Sequence, residues 1–355
     1  MPLDSQRASF ISMTAPLVSV HIPALLFKVF LEQGLSADAL LEGTGLRQEH
    51  FCHPDTLLSY EQLAIITSRG LRLSGNPRIG LLFGTRLRYS HLAELGAVYA
   101  SAPTLAEAQK VFFKHQRILG SAVDMRLVEH PTHFAIIASK LVPLGERYFF
   151  NQESWIAGIA NMMSIAFETS VEALGLEVEF DFKAPADTRA YHALFGERVK
   201  FGQRYSQVLV PRELALRPLP GACPTQFKLA TQLCEEASAR SSMPISLPEQ
   251  IRVYLRKNLE DAPSVDDVAE HLNLSVRTLN RRLTDLSSNF RSLFKEVRSE
   301  AAGALLHSTS LPIAIVAQRT GFSNTSNFVN AFRDWTGTTP QRYREGRSAA
   351  SSAAR

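Results

Sequence analysis

Two stretches of this sequence place side chains that hydrogen-bond nucleic acids at helical spacing. The first is "LSVRTLNRRL", and at about 100° per residue its outward-facing side chains are Arg277, Asn280, Arg281 and Thr284. Arginine pairs with guanine edges, asparagine with adenine edges, and hydroxyl groups with bases or phosphates. Because Val276, Leu279 and Leu283 lie on the opposite side, the stretch predicts an amphipathic helix with a polar face for a partner.

The second stretch is "GFSNTSNFVNAF", in which six residues are Ser, Asn or Thr and three are Phe. Small polar residues are poor helix formers, yet the phenylalanines keep helical spacing. We expect them to hold the helix on a core while the short polar side chains allow close approach to DNA. The predicted inner residues are Asn324, Phe328, Ala331 and Phe332. The predicted outer residues are Ser326, Val329, Asn330 and Arg333, with Thr325 at the leading end.

Each stretch follows a short helical pattern and a sharp turn, as in a helix-turn-helix motif. In the first unit Ser264 is a predicted N-cap, Asn273 occupies the turn and Ser275 caps the second helix. In the second unit Gly321 makes the turn and Ser323 is the predicted N-cap. The segment "FRSLFKEVRSEAAGALL" between them is also helical. Because the second helix of such a motif enters the major groove, the pair predicts double-stranded DNA as a partner.

The distribution of charge agrees with a polyanionic partner for the last third of the chain. The 355 residues carry a net charge of +4. From Pro248 onward there are 15 Lys and Arg residues against 11 Asp and Glu, whereas the first 247 residues hold 23 of each. All of the excess positive charge therefore follows residue 247. Such an excess is common on solvated surfaces, so it supports the motifs and does not replace them.

The elements that must position these motifs divide the chain into domains. Residues 1–235 combine capped helical patterns with a β-hairpin at "VDMRLVEHPTHFAIIAS" and a later strand at "LEVEFDF". They predict an α+β domain for effector sensing or dimerisation. The Ser- and Pro-rich residues 236–249 predict a linker. Residues 250–345 predict an all-α domain with two helix-turn-helix subdomains joined by a helix, and residues 346–355 a disordered tail.

Residues 250–344 resemble the DNA-binding domain of the AraC/XylS family of bacterial transcription regulators. The matching residues lie in "LSVRTLNRRL", in "FRSLFKEVR" and in "VAQRTGFSNTSNFVNAFRDWTGTTPQRYR". The resemblance implies a regulator that places two recognition helices in successive major grooves, and it favours an activator that contacts RNA polymerase. Carried over by position, the DNA-contacting candidates are Arg277, Thr278, Asn280, Arg281, Thr325, Ser326, Asn330 and Arg333.

Four residues depart from the family pattern. Asn330 stands where Arg is frequent, so the second unit either reads adenine or binds weakly. Ile315 replaces a usual polar or acidic residue and marks a candidate protein contact. Ser287 occupies a helix-ending position where Gly is common, at a cost of about 1 kcal/mol. Pro312 falls near the start of its helix, where proline is tolerated.

Roughly residues 20–215 resemble the effector domain of the ornithine- and virulence-regulator branch of the same family, for example in "FGERVKFGQRYSQVLVPRELALRPLP". The resemblance implies that this domain binds a small-molecule effector or forms a homodimer. Candidate pocket residues are Phe112, Phe113, Tyr148, Phe149, Phe150, Trp155, Met162 and Met163. Arg147 and Lys140 could meet an effector carboxylate. Core packing and solvation explain such residues more often than a pocket does, so no effector-binding residue is assigned.

The sequence offers little for catalysis, cofactors or metals. "EHFCHP" and "HPTH" lack the paired ligand spacing of a structural zinc site, and G-x-G-x-x-G, G-x-S-x-G and H-E-x-x-H are absent. We therefore expect no enzyme, no cofactor and no metal. Cys52, Cys223 and Cys234 show no pairing pattern, and no apolar stretch is long enough for a membrane span. Both observations favour a cytoplasmic protein.

Two other classes of function stay open on the sequence alone. A ligand-independent regulator, whose first domain only dimerises, would show no saturable binding of metabolites. An enzyme with a DNA-binding appendage would turn over a substrate with its isolated first domain. Calorimetry and turnover assays separate both from an effector-controlled regulator.

Overall fold

The computed structural model describes residues 12–140, 142, 144–241, 246–286 and 288–345. The chain divides into two compact units. The N-terminal unit holds the described residues from 12 to 128 and from 132 to 241, and the C-terminal unit holds those from 246 to 345. The first combines helices with sheets and the second is helical, which confirms the predicted α+β and all-α classes.

The strands described in the N-terminal unit form two sheets. Their bounds are β1 Pro16–Ser19, β2 Leu57–Ser59, β3 Val123–Glu129, β4 His133–Lys140, β5 Glu177–Glu179, β6 Val199–Lys200 and β7 Gln207–Pro211. The larger sheet has the order β3-β4-β7-β5-β6, with β5 parallel to β6 and β7 antiparallel to both β4 and β5. β1 and β2 form a separate antiparallel pair. The hairpin predicted from "VDMRLVEHPTHFAIIAS" is confirmed as β3 and β4.

Two helices of the N-terminal unit begin at caps that the sequence indicates, namely Ser59 and Thr104. The bounds of the helices in this unit are α1 His21–Glu32, α2 Ala37–Leu41, α3 Tyr60–Ser74, α4 Ile79–Arg86, α5 Glu94–Ser101, α6 Leu105–His115, α7 Tyr148–Ala166, α8 Arg189–Phe195, α9 Arg212–Leu216 and α10 Pro224–Arg240. The predicted capping box at Ser59 is confirmed, since its side chain accepts from the Gln62 N–H and the Gln62 side chain accepts from the Ser59 N–H. Thr104 caps α6 by accepting from the Glu107 N–H.

The long apolar helix α7 forms the centre of the N-terminal unit together with α4. A Cβ atom on Gly84 of α4 would lie 2.5 Å from the Cβ of Ala157 on α7. Glycine therefore lets the two backbones approach more closely than any larger residue would allow. Twelve residues of α7 are buried, and most of them are apolar, the exceptions being Gln152, Glu153 and Ser154.

The boundary region contains more helix than its composition indicates. α10 continues through residues 236–240 of the predicted linker, and the next helix begins at Leu247. Residues 242–245 between them lie outside the described residues, as does the predicted tail 346–355. The predicted domain limits at 235 and 250 stay predictions.

The C-terminal unit consists of helices arranged around two small cores. Their bounds are α11 Leu247–Lys257, α12 Val265–His271, α13 Val276–Asp285, α14 Phe290–Ser308, α15 Ile313–Arg319 and α16 Thr325–Thr336. α14 contributes Leu293 and Val297 to the first core and Ala302 and Leu306 to the second. Its 19 residues span about 28 Å at the usual rise of a helix. α14 is therefore the shared support on which both helix-turn-helix units are built.

A bilayer crossing requires about 20 consecutive, mostly apolar residues in a helix. No helix within the described residues meets that requirement.

Candidate nucleic-acid interface

The first candidate reading helix is α13, and its two sides differ as predicted. Asn273 has a φ of 54° in the turn before it, and the Ser275 side chain caps it by accepting from the Thr278 N–H. Leu279 and Leu283 are fully buried in the first core. The exposed residues of the helix include Arg277, Asn280, Arg281 and Thr284. The predicted outer residues of α13 thus face solvent, whereas Thr278 is half-buried beside the cap.

The arginines of α13 make this face strongly cationic. Within the described part of the chain, neither Arg277 nor Arg281 has a hydrogen bond or an ion pair. The neighbouring Arg282 is half-buried, and its pKa is lowered by desolvation and then by the charge of Arg281. The charges of Arg277 and Arg281 on the exposed face attract an anionic partner. Arg277 and Arg281 are therefore available to a base edge or a phosphate without first breaking an internal contact.

The second candidate reading helix is α16, and one predicted detail of its start is wrong. Asn324, not Ser323, is the N-cap, because its Oδ1 accepts from the Asn327 N–H at 2.8 Å. Asn324 is also exposed, so its predicted place on the inner side is wrong. A cap residue must lie at the open end of the helix to reach the free N–H groups, which explains both corrections.

The remaining residues of α16 divide into the predicted sides with one exception. Phe328 and Phe332 are fully buried in the second core, and Ala331 is partly buried beside them. Val329 was predicted on the outer side of the helix, but it is partly buried and packs against that core. The reason is that an apolar side chain at the edge of the buried face can still reach the core. The predicted outer residues that the structure places on the surface are Ser326, Asn330 and Arg333, with Thr325 half-buried at the first position.

Two of the outer residues of α16 contact each other. Arg333 donates from Nη2 to Oδ1 of Asn330 at 3.3 Å. This bond lies at i, i+3 on the exposed side, where side chains of one helix are neighbours. The guanidinium and the amide are therefore oriented together, unlike the two arginines of α13, and their presentation to a partner is coupled.

The turn of the second unit is held by an arginine that sequence analysis did not single out. Arg298 of α14 donates to the carbonyl oxygen of Gly321 at 2.6 Å. Its guanidinium lies 4.0 Å from the ring centre of Phe294 and 4.5 Å from that of Phe322. Burial between these rings lowers the pKa of Arg298. Arg298 therefore fixes the turn to the connecting helix, and it is not part of the exposed cationic surface.

Gly321 also allows the second helix-turn-helix unit to pack closely against the first. Its φ is +74°, and a Cβ there would lie 2.4 Å from the carbonyl oxygen of Leu259, which precedes α12. At the same junction, Nε of Arg319 lies 3.7 Å from a carboxylate oxygen of Glu260. We call Leu259, Glu260, Arg298, Arg319 and Gly321 the junction of the two units. The close backbone contact fixes their relative position.

A second group of arginines serves to join α11 to α14. Arg252 is 1% exposed and lies 3.2 Å from Glu249 and 3.5 Å from Glu296. Arg256 connects Glu249 to Glu300 at 2.9 and 3.4 Å. A buried charge such as that of Arg252 needs partners, and removing one partner is more costly than the pair is stabilising. Part of the positive charge counted after residue 247 is thus internal, and spacing alone did not separate it from the exposed part.

The other residues that depart from the family pattern are Ile315, Pro312 and Ser287. Ile315 is 37% exposed on α15, in agreement with a surface position. Pro312 is the N-cap of α15, so its missing N–H disturbs no helical hydrogen bond. Ser287 lies outside the described residues.

The N-terminal unit contains an apolar cavity of about 170 Å³. Four of the predicted pocket residues line it, namely Phe112, Phe150, Trp155 and Met162. The other four, which do not, are Phe113, Tyr148, Phe149 and Met163. Arg147 also lines the cavity, whereas Lys140 lies outside it with its ammonium 4.1 Å from the ring centre of Tyr148. The walls come from α1, α3, α6 and α7 and from β3, so no single sequence motif could reveal them.

Comparison with known proteins agrees with both units. A family model described as the arabinose-binding domain of AraC transcription regulator, N-terminal, matches residues 34–219, and a helix-turn-helix domain model matches residues 268–346. The chain is 32% identical over 336 residues to the ornithine utilization regulator of Pseudomonas aeruginosa, covering 94% of this chain and 98% of that protein. It is 27% identical over 334 residues to an uncharacterized HTH-type transcriptional regulator of Mycobacterium bovis, covering 91% and 95%.

Among solved structures, the transcriptional regulator CdpR from Pseudomonas aeruginosa is 22% identical and superposes with a TM-score of 0.45, covering 92% of this chain and 98% of that chain. The two relatives found by sequence are regulators, as the paired helix-turn-helix units lead one to expect. From the match over its N-terminal half and the ornithine utilization regulator, we conclude that the chain belongs to the AraC family of DNA-binding transcription regulators, with an arabinose-binding-type ligand domain before its helix-turn-helix domain.

Proposed function

We propose that this regulator is a transcription activator that reads two successive major grooves with α13 and α16 and is controlled by a small molecule bound in its N-terminal cavity. The observation that carries the proposal is the pair of exposed polar helix faces on one shared support, α14, with the junction at Gly321 fixing their relative position. A pair of readers at fixed separation selects sites whose two halves have a matching separation.

The roles of the individual residues follow from their chemistry. Arg277 and Arg281 are suited to the O6 and N7 atoms of guanine, and Asn280 and Asn330 to the N6 and N7 atoms of adenine. The candidates for phosphate contacts are Thr278, Thr325, Ser326 and Arg333, which lie near the N-terminal ends of the two helices or at the edge of the face. We assign sequence selection mainly to α13, because Arg277 and Arg281 have no hydrogen bond or ion pair among the described residues.

Three further partners belong to the proposal. Ile315, an exposed apolar side chain on α15, is the proposed contact with RNA polymerase. Leu229 and Leu233, 50% and 41% exposed and one turn apart on α10, are the proposed centre of a homodimer contact. Because its partner is chromosomal DNA, we place the site of action in the bacterial cytoplasm, at the nucleoid.

The presence of the cavity favours effector control over a ligand-independent regulator. A first domain that served only for dimerisation would need no apolar cavity of this kind, and unfilled apolar space between packed helices is costly. The cavity is of the type that small molecules occupy, being largely apolar with few polar groups.

The proposal is tested by selecting duplexes from a random pool with the full chain. The selected duplexes are then footprinted with the same protein. We expect two protected major-groove segments on one face of the duplex, centred about 10 base pairs apart. Affinity should fall steeply with salt through release of counterions. Protection of a single segment, or no enrichment of any sequence, would overturn the two-reader assignment. Transcription from the selected site, with and without metabolite extracts, tests activation and effector control.

A further inference from the structure

The walls of the N-terminal cavity carry information about the ligand that occupies it. Resting on the proposed effector control, we propose that the effector is a small apolar monoacid, with its hydrocarbon or aromatic body in the cavity and its acid group at Arg147. The structure thereby assigns Arg147 as the residue that recognises the acid and the surrounding apolar residues as the sieve for size.

Most polar side chains in the walls, though not the Tyr99 hydroxyl, already have hydrogen-bond partners among the described residues. The Tyr60 hydroxyl donates to the carbonyl of Ser121 at 2.9 Å, and the Thr67 hydroxyl donates to the carbonyl of Leu63 at 2.7 Å. Ser154 donates to the carbonyl of its own helix one turn earlier, at 2.6 Å. A ligand rich in hydroxyl groups would leave those groups unsatisfied in an apolar space, at a cost of about 1–3 kcal/mol each.

Gln116 shows the same use of polar groups for internal structure. Its amide donates to the carbonyl of Met125 at 2.5 Å and accepts from the Met125 N–H at 2.8 Å. These bonds hold α6 and the turn after it to β3 and occupy both ends of the amide. The walls therefore offer mainly apolar surface, from residues such as Leu26, Phe83 and Ile159.

A charged side chain in the cavity wall favours some apolar ligands over others. Arg147 is the one charged side chain among the described residues that line the cavity. It is half-buried and its Nη1 donates to Ser68 at 3.2 Å. A guanidinium carries five N–H donors in a planar fork, so it can hold Ser68 and a carboxylate together. Burial lowers the pKa of Arg147 by more than the charge of Glu146 raises it, and a ligand carboxylate would further offset the loss of hydration.

The same walls disfavour the ligands that the names of the relatives suggest. Arabinose is a polyol, whereas these walls have few free polar groups. Ornithine carries two ammonium groups, and no described residue lining the cavity is an Asp or a Glu. Size is a further limit, because an apolar cavity of about 150 Å³ in another protein holds one benzene ring. The volume of about 170 Å³ thus suits a body of one ring or a short branched chain.

The experiment is calorimetry of the full chain with phenylacetate, hexanoate, phenylacetamide, L-arabinose and L-ornithine. We expect the two acids to bind, and phenylacetate to bind at least about tenfold more tightly than its neutral amide, as a charge-assisted hydrogen bond implies. Arg147→Gln should remove this tenfold preference, while Arg147→Lys restores part of it. Lys110→Gln, which removes an exposed charge on α6 away from the cavity, should change neither affinity.

Filling the cavity tests the location of the ligand. Ala64→Phe on α3 projects into the space and should abolish binding of both acids, with Ala122→Leu as a second variant if the first unfolds early in a thermal melt. Binding of arabinose or ornithine in place of the acids would overturn the ligand class but leave effector control intact. Equal binding of acid and amide, unchanged in Arg147→Gln, would overturn the role of Arg147. No binding by any probe, together with a footprint unaffected by metabolite extracts, would overturn both proposals.

Discussion

The two helix-turn-helix units share a plan but present different chemistry to a partner. α13 exposes Arg277 and Arg281, neither of which has a hydrogen bond or an ion pair among the described residues, so both present their charge to a partner. α16 exposes hydroxyl and amide groups, and its outward Arg333 is bonded to Asn330. Because phosphate and guanine contacts depend on charged donors, the first unit should supply most of the affinity. The second unit should contribute shape complementarity to the DNA and a smaller share of the selectivity.

The turns of the two helix-turn-helix units differ in how closely other atoms approach the turn residue. The first turn uses Asn273 at a φ of 54°, and the second uses Gly321 at +74°. Asparagine tolerates the left-handed conformation, so the first turn needs no glycine. The second turn does, because a Cβ at Gly321 would meet the carbonyl oxygen of Leu259 at 2.4 Å. The glycine is thus required by the contact between the units and not by the turn alone.

The largest effect should come from Gly321→Ala. The left-handed conformation costs an alanine about 1–2 kcal/mol, and overpacking against Leu259 and Arg298 should add about 1–3 kcal/mol. Hydrogen exchange of the α15 and α16 amides should report this loss. Affinity for a duplex with both half-sites should fall, while affinity for the first half-site alone should hold.

Gly337→Ala is the matched control for that substitution. Gly337 also has a φ of +74°, but nothing lies within 4 Å of its missing Cβ. Gly337→Ala should therefore lower the free energy of unfolding only by the cost of the left-handed conformation, without the cost of overpacking. Equal losses at the two glycines would show that the junction between the units is not tight and that their spacing is not fixed there.

The next largest effect should come from Arg281→Ala in α13. A bidentate contact with guanine contributes about 1–3 kcal/mol of discrimination, so specific affinity should drop by that amount and selectivity at one position should relax. The measurement is fluorescence anisotropy on the selected duplex and on single-base variants of it. Lys257→Ala removes a charge of the same sign from an exposed site on α11. If both variants weakened all duplexes alike, Arg281 would act through bulk charge and not through a base.

The helix-turn-helix plan was predictable because it depends on local spacing. Buried positions at Leu279, Leu283, Phe328 and Phe332 follow from the helical period, and polar residues left outside that period had to face solvent. The errors at Ser323 and Val329 are shifts of one residue at a helix end and at the edge of a buried face. Several of Ser, Asn and Thr could cap the same helix, so local pattern could not choose among them.

Long-range features were beyond local pattern. Arg298 looks like any surface arginine in "FKEVRSE", and only the fold brings it to Gly321, 23 residues later. The cavity likewise combines side chains from residue 13 to residue 162, and half of the aromatic and Met candidates fell outside it. The residue types of a pocket are visible in the sequence, but the residues that share one space are determined by contacts between distant elements.

A smaller effect should follow from Asn324→Ala, which tests the corrected cap. Loss of a side-chain N-cap costs about 0.5–2 kcal/mol, and Asn324 supplies that bond to the Asn327 N–H. Ser323→Ala should have almost no effect, since Ser323 does not cap α16. Urea unfolding followed by hydrogen exchange of the first turn of α16 distinguishes the two. A larger loss in Ser323→Ala would restore the cap predicted from sequence.

The smallest effect should come from Asn330→Ala, which decides between the two interpretations of the second unit. If Asn330 reads adenine, its removal should cost about 1 kcal/mol and relax selectivity at one A·T pair, as loss of a hydrogen bond within a polar network does. Asn327→Ala removes an exposed asparagine of the same helix outside the predicted outer set and should leave selectivity unchanged. Asn330→Arg should increase affinity and steepen the salt dependence by about one counterion, because it adds a charge like those of α13. A variant that gained affinity without losing adenine selectivity would show that Asn330 does not read that base, and α16 would then act mainly through phosphate contacts.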